Sequence, residues 1–297
     1  MAFTIAVASG KGGTGKTSVS VRLFQSLQER FGENTGLVDC DVEEPNAGIF
    51  FSETLPVGES AVMQEIPVID TERCIFCRKC SEYCEFNAIV VIPTASFARV
   101  NPSLCHSCGA CQVACESGAI WVKEEPVGTI SRYRTPSNGT LTEGRLKIGS
   151  AMQTMVIRSL KRSVRGRFEV LVLDAPPGTS CPVVETISDA GYVVLVTEPT
   201  PFGMYDLKLM VELLEETGNR FGVVVNKAGT GDPALYPYLE EKNIEILAEI
   251  PFSREFAACY AKGSILDGIP DEVRKAYRSL EERIQTIIDE GDHHSQR

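Results

Sequence analysis

Gly10-Lys11-Gly12-Gly13-Thr14-Gly15-Lys16-Thr17 decides the fold of this chain. The octet fits G-x-x-x-x-G-K-[ST], a loop whose glycines let backbone N–H groups close around phosphates, while the last lysine reaches the β and γ oxygens and the hydroxyl ligates Mg²⁺. Its surroundings suit that chemistry. Phe3-Thr4-Ile5-Ala6-Val7-Ala8 before it reads as a buried strand, and Val19, Leu23, Leu27 and Phe31 after it recur at helical spacing until Gly32. The expected nucleotide cradle is therefore Gly10, Lys11, Gly12, Gly13, Thr14, Gly15, Lys16, Thr17 and Ser18, with the helix dipole adding to anion binding. Lys16 is expected on the phosphates and Thr17 on Mg²⁺.

Outward from the loop, buried-strand runs recur at Gly36-Leu37-Val38, Val170-Leu171-Val172-Leu173, Val193-Val194-Leu195-Val196, Val223-Val224-Val225 and Ile244-Glu245-Ile246-Leu247, mostly separated by helix-length segments. Such alternation predicts an α/β domain with a parallel sheet covered on both faces. The pattern fails between about residues 55 and 145, where cysteine, proline and short strand-like runs replace it. A discontinuous P-loop domain is thus expected at 1–55 and 146–297, with a small α+β domain inserted at 56–145 and a return hairpin near 127–147. Val273, Tyr277, Leu280, Ile284 and Ile287 form one helical stripe, read as a helix capping the sheet. Its polar side mixes glutamate and arginine, which argues against a membrane anchor.

Eight of the eleven cysteines fall in two identical arrays. Cys74-x2-Cys77-x2-Cys80-x3-Cys84 and Cys105-x2-Cys108-x2-Cys111-x3-Cys115 each repeat the run of two-cluster ferredoxins, whose fourth cysteine ligates the other cluster. That rule assigns Cys74, Cys77, Cys80 and Cys115 to one [4Fe-4S] cluster and Cys105, Cys108, Cys111 and Cys84 to a second, making the insertion a bacterial ferredoxin-like domain. Zinc is the rival, but structural zinc sites pair two separated C-x2-C units rather than tight triplets. Glu85 and Glu116 stand where ferredoxins usually place proline. Ile75, Phe76, Ile89, Val90, Val91, Ile92, Ile120 and Val122 are expected to form the apolar shell. Cys40, Cys181 and Cys259 are left over and read as buried small residues.

A formal net charge of -11 argues against nonspecific nucleic-acid binding and against anionic lipid. No apolar run reaches the roughly 18 residues of a membrane span, and no basic leader precedes the first strand. A soluble, cytoplasmic protein is expected.

Lys11 departs from an ordinary P-loop, and with it the loop resembles that of the MinD/ParA-type deviant Walker ATPases and the nitrogenase iron protein. The resemblance implies an ATP-dependent homodimer in which Lys11 acts across the interface on the partner's nucleotide. In Val38-Asp39-Cys40-Asp41, period-two geometry puts both carboxylates on one side. By resemblance this is switch I, with Asp41 positioning the attacking water and Asp39 helping to hold the Mg²⁺ shell. Leu171-Val172-Leu173-Asp174-Ala175-Pro176-Pro177-Gly178-Thr179 resembles the Walker B strand and switch II, with Asp174 on Mg²⁺ through water. Asn226, Pro251 and Phe252 resemble adenine-recognition residues. The whole arrangement is similar to MinD-superfamily ATPases with an inserted ferredoxin domain. It implies a slow, partner- or dimer-stimulated ATPase, cycling ATP to ADP, whose state is coupled to electron transfer to or from a redox or iron–sulfur protein. Family members of other kinds imply the alternatives, an iron–sulfur cluster carrier or scaffold and an ATP-dependent positioning protein.

Overall fold

Strands that lack polar alternation must be buried on both faces, and that condition shapes the larger part of the molecule. In the computed structural model, which describes residues 2–295 and side chains through Gly291, β1 (Phe3–Ala8) leads through the glycine loop into α1 (Lys16–Phe31) and then β2 (Thr35–Asp39). Next come β3 (Leu55–Ile69), α2 (Lys79–Glu82), β4 (Ile89–Ile92), β5 (Phe97–Val100), α3 (Ala110–Val113), β6 (Ile120–Arg134) and β7 (Thr140–Leu146). The chain ends with α4 (Gln153–Val164), β8 (Val170–Asp174), α5 (Cys181–Ile187), β9 (Tyr192–Thr197), α6 (Pro201–Thr217), β10 (Phe221–Ala228), α7 (Leu235–Glu241), β11 (Ile246–Pro251), α8 (Arg254–Ala261) and α9 (Asp271–Ser295).

Nine strands form one sheet in the order β11-β10-β9-β1-β8-β2-β7-β6-β3, while β4 and β5 pair separately and antiparallel. From β11 to β7 every neighbouring pair is parallel. Every residue of β2, β8 and β9 is buried, as the apolar runs require. The sixth strand starts two residues later than its sequence suggests. Asn243 takes a left-handed conformation (φ 52°) and the Ile244 N–H caps the Leu239 carbonyl, so Ile244 closes α7 instead of opening β11.

The stripe on α9 is core. Val273, Tyr277, Leu280, Ile284 and Ile287 are 0–1% exposed and pack with Ile5, Phe24 and Ile250. At roughly 1.5–3 kcal/mol per buried side chain, this burial leaves no apolar face for a membrane. Among the described residues no helix is long and apolar enough to cross one.

The chain divides into two compact units, one of residues 1–59, 130–145 and 157–297, the other of Ser60–Thr129 and Leu146–Val156. The smaller unit is a repeat in three dimensions. Phe76 and Ser107 share positive φ values (52° and 53°), as do Arg78 and Gly109 (68° and 75°) and Asn87 and Gly118 (51° and 60°). The Asp70 N–H bonds the Ala119 carbonyl at 2.8 Å, and its counterpart Asn101 bonds that of Ala88 at 2.7 Å, so each half closes on the other. Its core holds Cys80, Cys111, Ile89 and Val91. Two of the expected shell residues, Val90 and Ile92, instead point outward at 51% and 44% exposure, because the period of two on β4 buries only alternate side chains. Ile75 is also open, at 67%.

Candidate functional site

The glycine loop sits at the C-terminal end of β1, where parallel strands leave a crevice. Gly15 adopts φ 97°, and a Cβ there would meet the Asn226 amide nitrogen at 2.3 Å. That amide donates to the Thr14 carbonyl at 2.7 Å and its oxygen accepts from the Lys227 N–H at 2.9 Å, so Asn226 ties the loop to the end of β10. A Cβ on Gly10 would strike the Asp206 backbone oxygen at 2.5 Å, which fixes the other end of the loop against α6. Lys16, Thr17 and Ser18 are buried at the start of α1. A pocket beside the loop is lined by Gly13, Gly15, Ser18, Asn226, Pro251, Phe252, Phe256 and Tyr260. Phe252 is half exposed on its wall, so it is not a core residue.

Two carboxylates lie side by side beneath the loop. Asp39 and Asp174 are register partners across β2 and β8, and both are 0% exposed. Asp39 Oδ1 accepts the Asp41 N–H (3.1 Å) and Oδ2 those of Asn46 and Ala47 (2.8 and 2.9 Å), so Asp39 pins the segment after β2. Burial, then the Asp174 charge, push its carboxyl up to about 8. Asp174 Oδ1 accepts the Ser20 hydroxyl at 2.9 Å, whereas its Oδ2 is buried with no partner. An unpartnered buried carboxylate oxygen beside a phosphate loop fits a cation. Asp41 is half-buried, and burial raises its carboxyl while nearby Lys16 draws it down. The turn after β8 is docked on the loop, since the Gly178 N–H bonds the Ser9 carbonyl at 3.0 Å.

Lys11 does not stand free in the single chain. Its ammonium bonds Glu198, at the end of β9, and the second oxygen of Glu198 accepts Lys227 Nζ at 2.7 Å. Burial pushes the Glu198 carboxyl up, but the two lysines more than reverse this and hold it below its ordinary value. Glu198 escaped the sequence reading, while Lys227 figures there only as the neighbour of Asn226 in a segment resembling base recognition. Glu198 directly follows the buried strand β9 but matches no motif, so only the fold reveals its place beside the loop.

In the smaller unit the thiol of Cys80 lies in the electrostatic field of Cys74, Cys115 and Cys77. Cys105 lies in that of Cys108 and Cys84, and Cys111 in that of Cys105 and Cys108. The fourth cysteine of each array therefore sits with the triplet of the other. Backbone N–H groups aim at the sulfurs at matching positions: Phe76 at Cys74 (3.4 Å), Ser107 at Cys105 (3.4 Å), Ala88 at Cys84 and Ala119 at Cys115 (both 3.3 Å). Among the described residues no three His, Cys, Asp or Glu side chains converge closely enough to hold a single metal ion. Of the remaining cysteines only Cys40 is buried. Cys181 is exposed because it is the first residue of α5, and Cys259 is half-buried on α8.

Fold and loop together define a P-loop nucleotide-binding protein. Residues 5–266 match the model of the CobQ/CobB/MinD/ParA nucleotide binding domain, and the chain belongs to that family. An uncharacterized protein of Methanocaldococcus jannaschii is 30% identical over 287 residues, covering 96% of this chain and 97% of that one. The iron-sulfur cluster carrier protein of Aquifex aeolicus is 25% identical over 305 residues, 96% of this chain and 68% of the carrier. In fold, the cell division ATPase MinD of Pyrococcus furiosus superposes with a TM-score of 0.60 at 18% identity, over 97% of this chain and all of that one.

Proposed function

We propose that this chain is an ATP-hydrolysing homodimer whose nucleotide state is coupled to electron transfer through two [4Fe-4S] clusters to or from a protein partner. The observation that carries the reading is the pair of identical four-cysteine arrays in a chain that also has a phosphate loop, with Cys84 of the first array bordering one pocket with Cys105, Cys108 and Cys111 of the second. On this reading residues 56–145 form an inserted ferredoxin-like domain, and its cysteine arrays lie in the Ser60–Thr129 part of the smaller unit. Its residues fit the clusters: four cysteines per set, N–H donors aimed at sulfurs, and a pocket bordered by Cys84, Cys105, Cys108 and Cys111. A four-iron cluster takes four thiolates, and each proposed set offers four. Bound there, each cluster supplies one-electron capacity.

At the phosphate site the loop N–H groups and Lys16 bind and orient the nucleotide. Thr17 would hold Mg²⁺ directly and Asp174 through water, with Asp39 beside it, and the cation would neutralise charge on the phosphates. Asp41 accepts a hydrogen bond from the attacking water. Lys11 must leave Glu198 before it can reach a partner's nucleotide, which makes hydrolysis slow and dimer-dependent.

The coupling follows the chain: the segment pinned by Asp39 runs on into β3, whose end precedes the first array. ATP binding that disturbs Asp39 therefore moves a segment attached to the clusters. To test this, the cluster potentials and the hydrolysis rate are measured on the reconstituted full chain with and without ATP. The reading expects each to depend on the other, and independence would sink it. The similarity to an iron-sulfur cluster carrier supports a second reading, delivery of clusters. Transfer of iron and sulfide to an apo-acceptor would favour it, whereas retention of both clusters favours electron transfer.

A further inference from the structure

The two cysteine sets share spacing and backbone conformation, yet their surroundings differ at matching positions. His106, second in its array, stacks on Phe86 with ring centroids 3.6 Å apart and planes 12° from parallel. Both rings border the pocket of the second set, Cys105, Cys108, Cys111 and Cys84. Their counterparts in the other half are Ile75 and Ser117, which form no such cover; Ile75 is 67% exposed. The strand β3 adds to the asymmetry. Gln64 donates to the Cys105 carbonyl and the Ser107 hydroxyl donates to the Glu65 carbonyl at 2.8 Å, leaving Cys105 only 8% exposed while its counterpart Cys74 is half-buried.

Hydrogen bonding differs in the same direction. The Ser117 hydroxyl lies 3.6 Å from Cys115 Sγ, and toward a ligating thiolate it is the hydroxyl that must donate. The Ser107 hydroxyl, beside Cys105, also lies within reach of that sulfur but is shared with the Glu65 carbonyl at 2.8 Å, so its donation to sulfur is the weaker of the two. A reduced cluster is more negative than an oxidised one, so donors to sulfur and access to water raise the potential, and burial lowers it.

Resting on the two-cluster reading above, we infer that the clusters are unequal: the set Cys74, Cys77, Cys80 and Cys115 holds the open, higher-potential cluster, and the set under the Phe86–His106 stack holds the covered, lower-potential one. The open cluster is the port for exchange with a one-electron carrier of the iron–sulfur or flavin class. On entry the carrier is oxidised by one electron as the open cluster passes from the 2+ to the 1+ state, with no proton or bond change; on return the same electron goes back.

The test is a redox titration of the anoxically reconstituted full chain, followed by electron paramagnetic resonance after its iron and sulfide content is measured. Two clusters reducing in separate steps are expected. Ser117→Ala should lower the upper step alone, by on the order of a tenfold change in its reduced-to-oxidised ratio, about 59 mV for one electron, and Ser117→Thr should restore it. A soluble paramagnetic chelate should broaden the signal of the upper step, and that of the lower step only in Phe86→Ala. Absence of two clusters would overturn the underlying reading and this inference with it. Two intact clusters with one shared potential, or a Ser117→Ala shift confined to the lower step, would overturn this inference alone.

Discussion

Asp174→Asn perturbs the buried carboxylate pair with little change of shape, since the new side chain keeps an oxygen for the Ser20 hydroxyl. In the metal-free protein Asp39 is pushed to about 8 from 3.8, by burial first and by Asp174 second. A folded-state value above the unfolded one means that the native state holds the proton more tightly. The stability this confers is complete below about pH 4 and is lost as pH rises through about 8. Each pKa unit corresponds to about 1.4 kcal/mol. With burial the larger cause, Asp174→Asn removes only the smaller part of the rise, so it should stabilise the metal-free protein above pH 8 by about 1.4 kcal/mol for each pKa unit it removes, and by much less near pH 5. Urea unfolding in EDTA at pH 5.5 and 8.5 measures the difference. Added magnesium nucleotide should reverse the ranking, stabilising the native protein and leaving Asp174→Asn unmoved. Equal destabilisation by Asp174→Asn at both pH values would refute the repulsion, and a full magnesium response in the variant would refute the cation role of Asp174.

The other expectations concern single contacts. Glu198→Gln frees Lys11 from a partly exposed ion pair worth about 1 kcal/mol, so the ATP-bound dimer should form at a several-fold lower concentration in sedimentation; an unchanged or weaker dimer would remove Glu198 as a restraint. Asn226→Ala leaves the Thr14 carbonyl unheld and should weaken nucleotide binding by roughly 1–2 kcal/mol, close to tenfold by calorimetry, with the fold intact by circular dichroism. Cys84→Ala and Cys105→Ala should abolish the same paramagnetic signal, and Cys115→Ala and Cys74→Ala the other; loss sorted by array instead would break the crossed pairing. Asp41→Ala should trap the ATP-bound state, and normal hydrolysis by that variant would exclude Asp41 as the residue that positions water.

The parallel strands were legible because burial on both faces leaves a continuous apolar signature, and so was α9, whose stripe matches its buried side. A hairpin near 127–147 was expected, and β6 and β7 are neighbours there, but that they and β3 extend the main sheet was not legible, since strands as polar as β3 and β6 carry no comparable run. At the site, loop glycines and strand-end aspartates announced themselves by motif. Glu198 did not, because a lone glutamate belongs to no pattern until the fold sets it between Lys11 and Lys227. Asn226 was legible in position, but its amide binds the loop backbone, a contact between residues far apart in sequence.

The cysteine arrays separate what spacing determines from what it does not. Identical spacing dictates identical local turns, and the matched left-handed residues and N–H contacts to sulfur follow from it, since the positions that must turn back toward a ligand are set by the distance between ligands. Nothing in the spacing determines what covers each set. Cover comes from β3, which lies outside both arrays, and from the residues two places after each fourth cysteine, Phe86 in one half and Ser117 in the other. A repeated motif thus sets the cysteine positions twice over, and on the two-cluster proposal the tuning of each site would rest on the few positions where the repeats diverge.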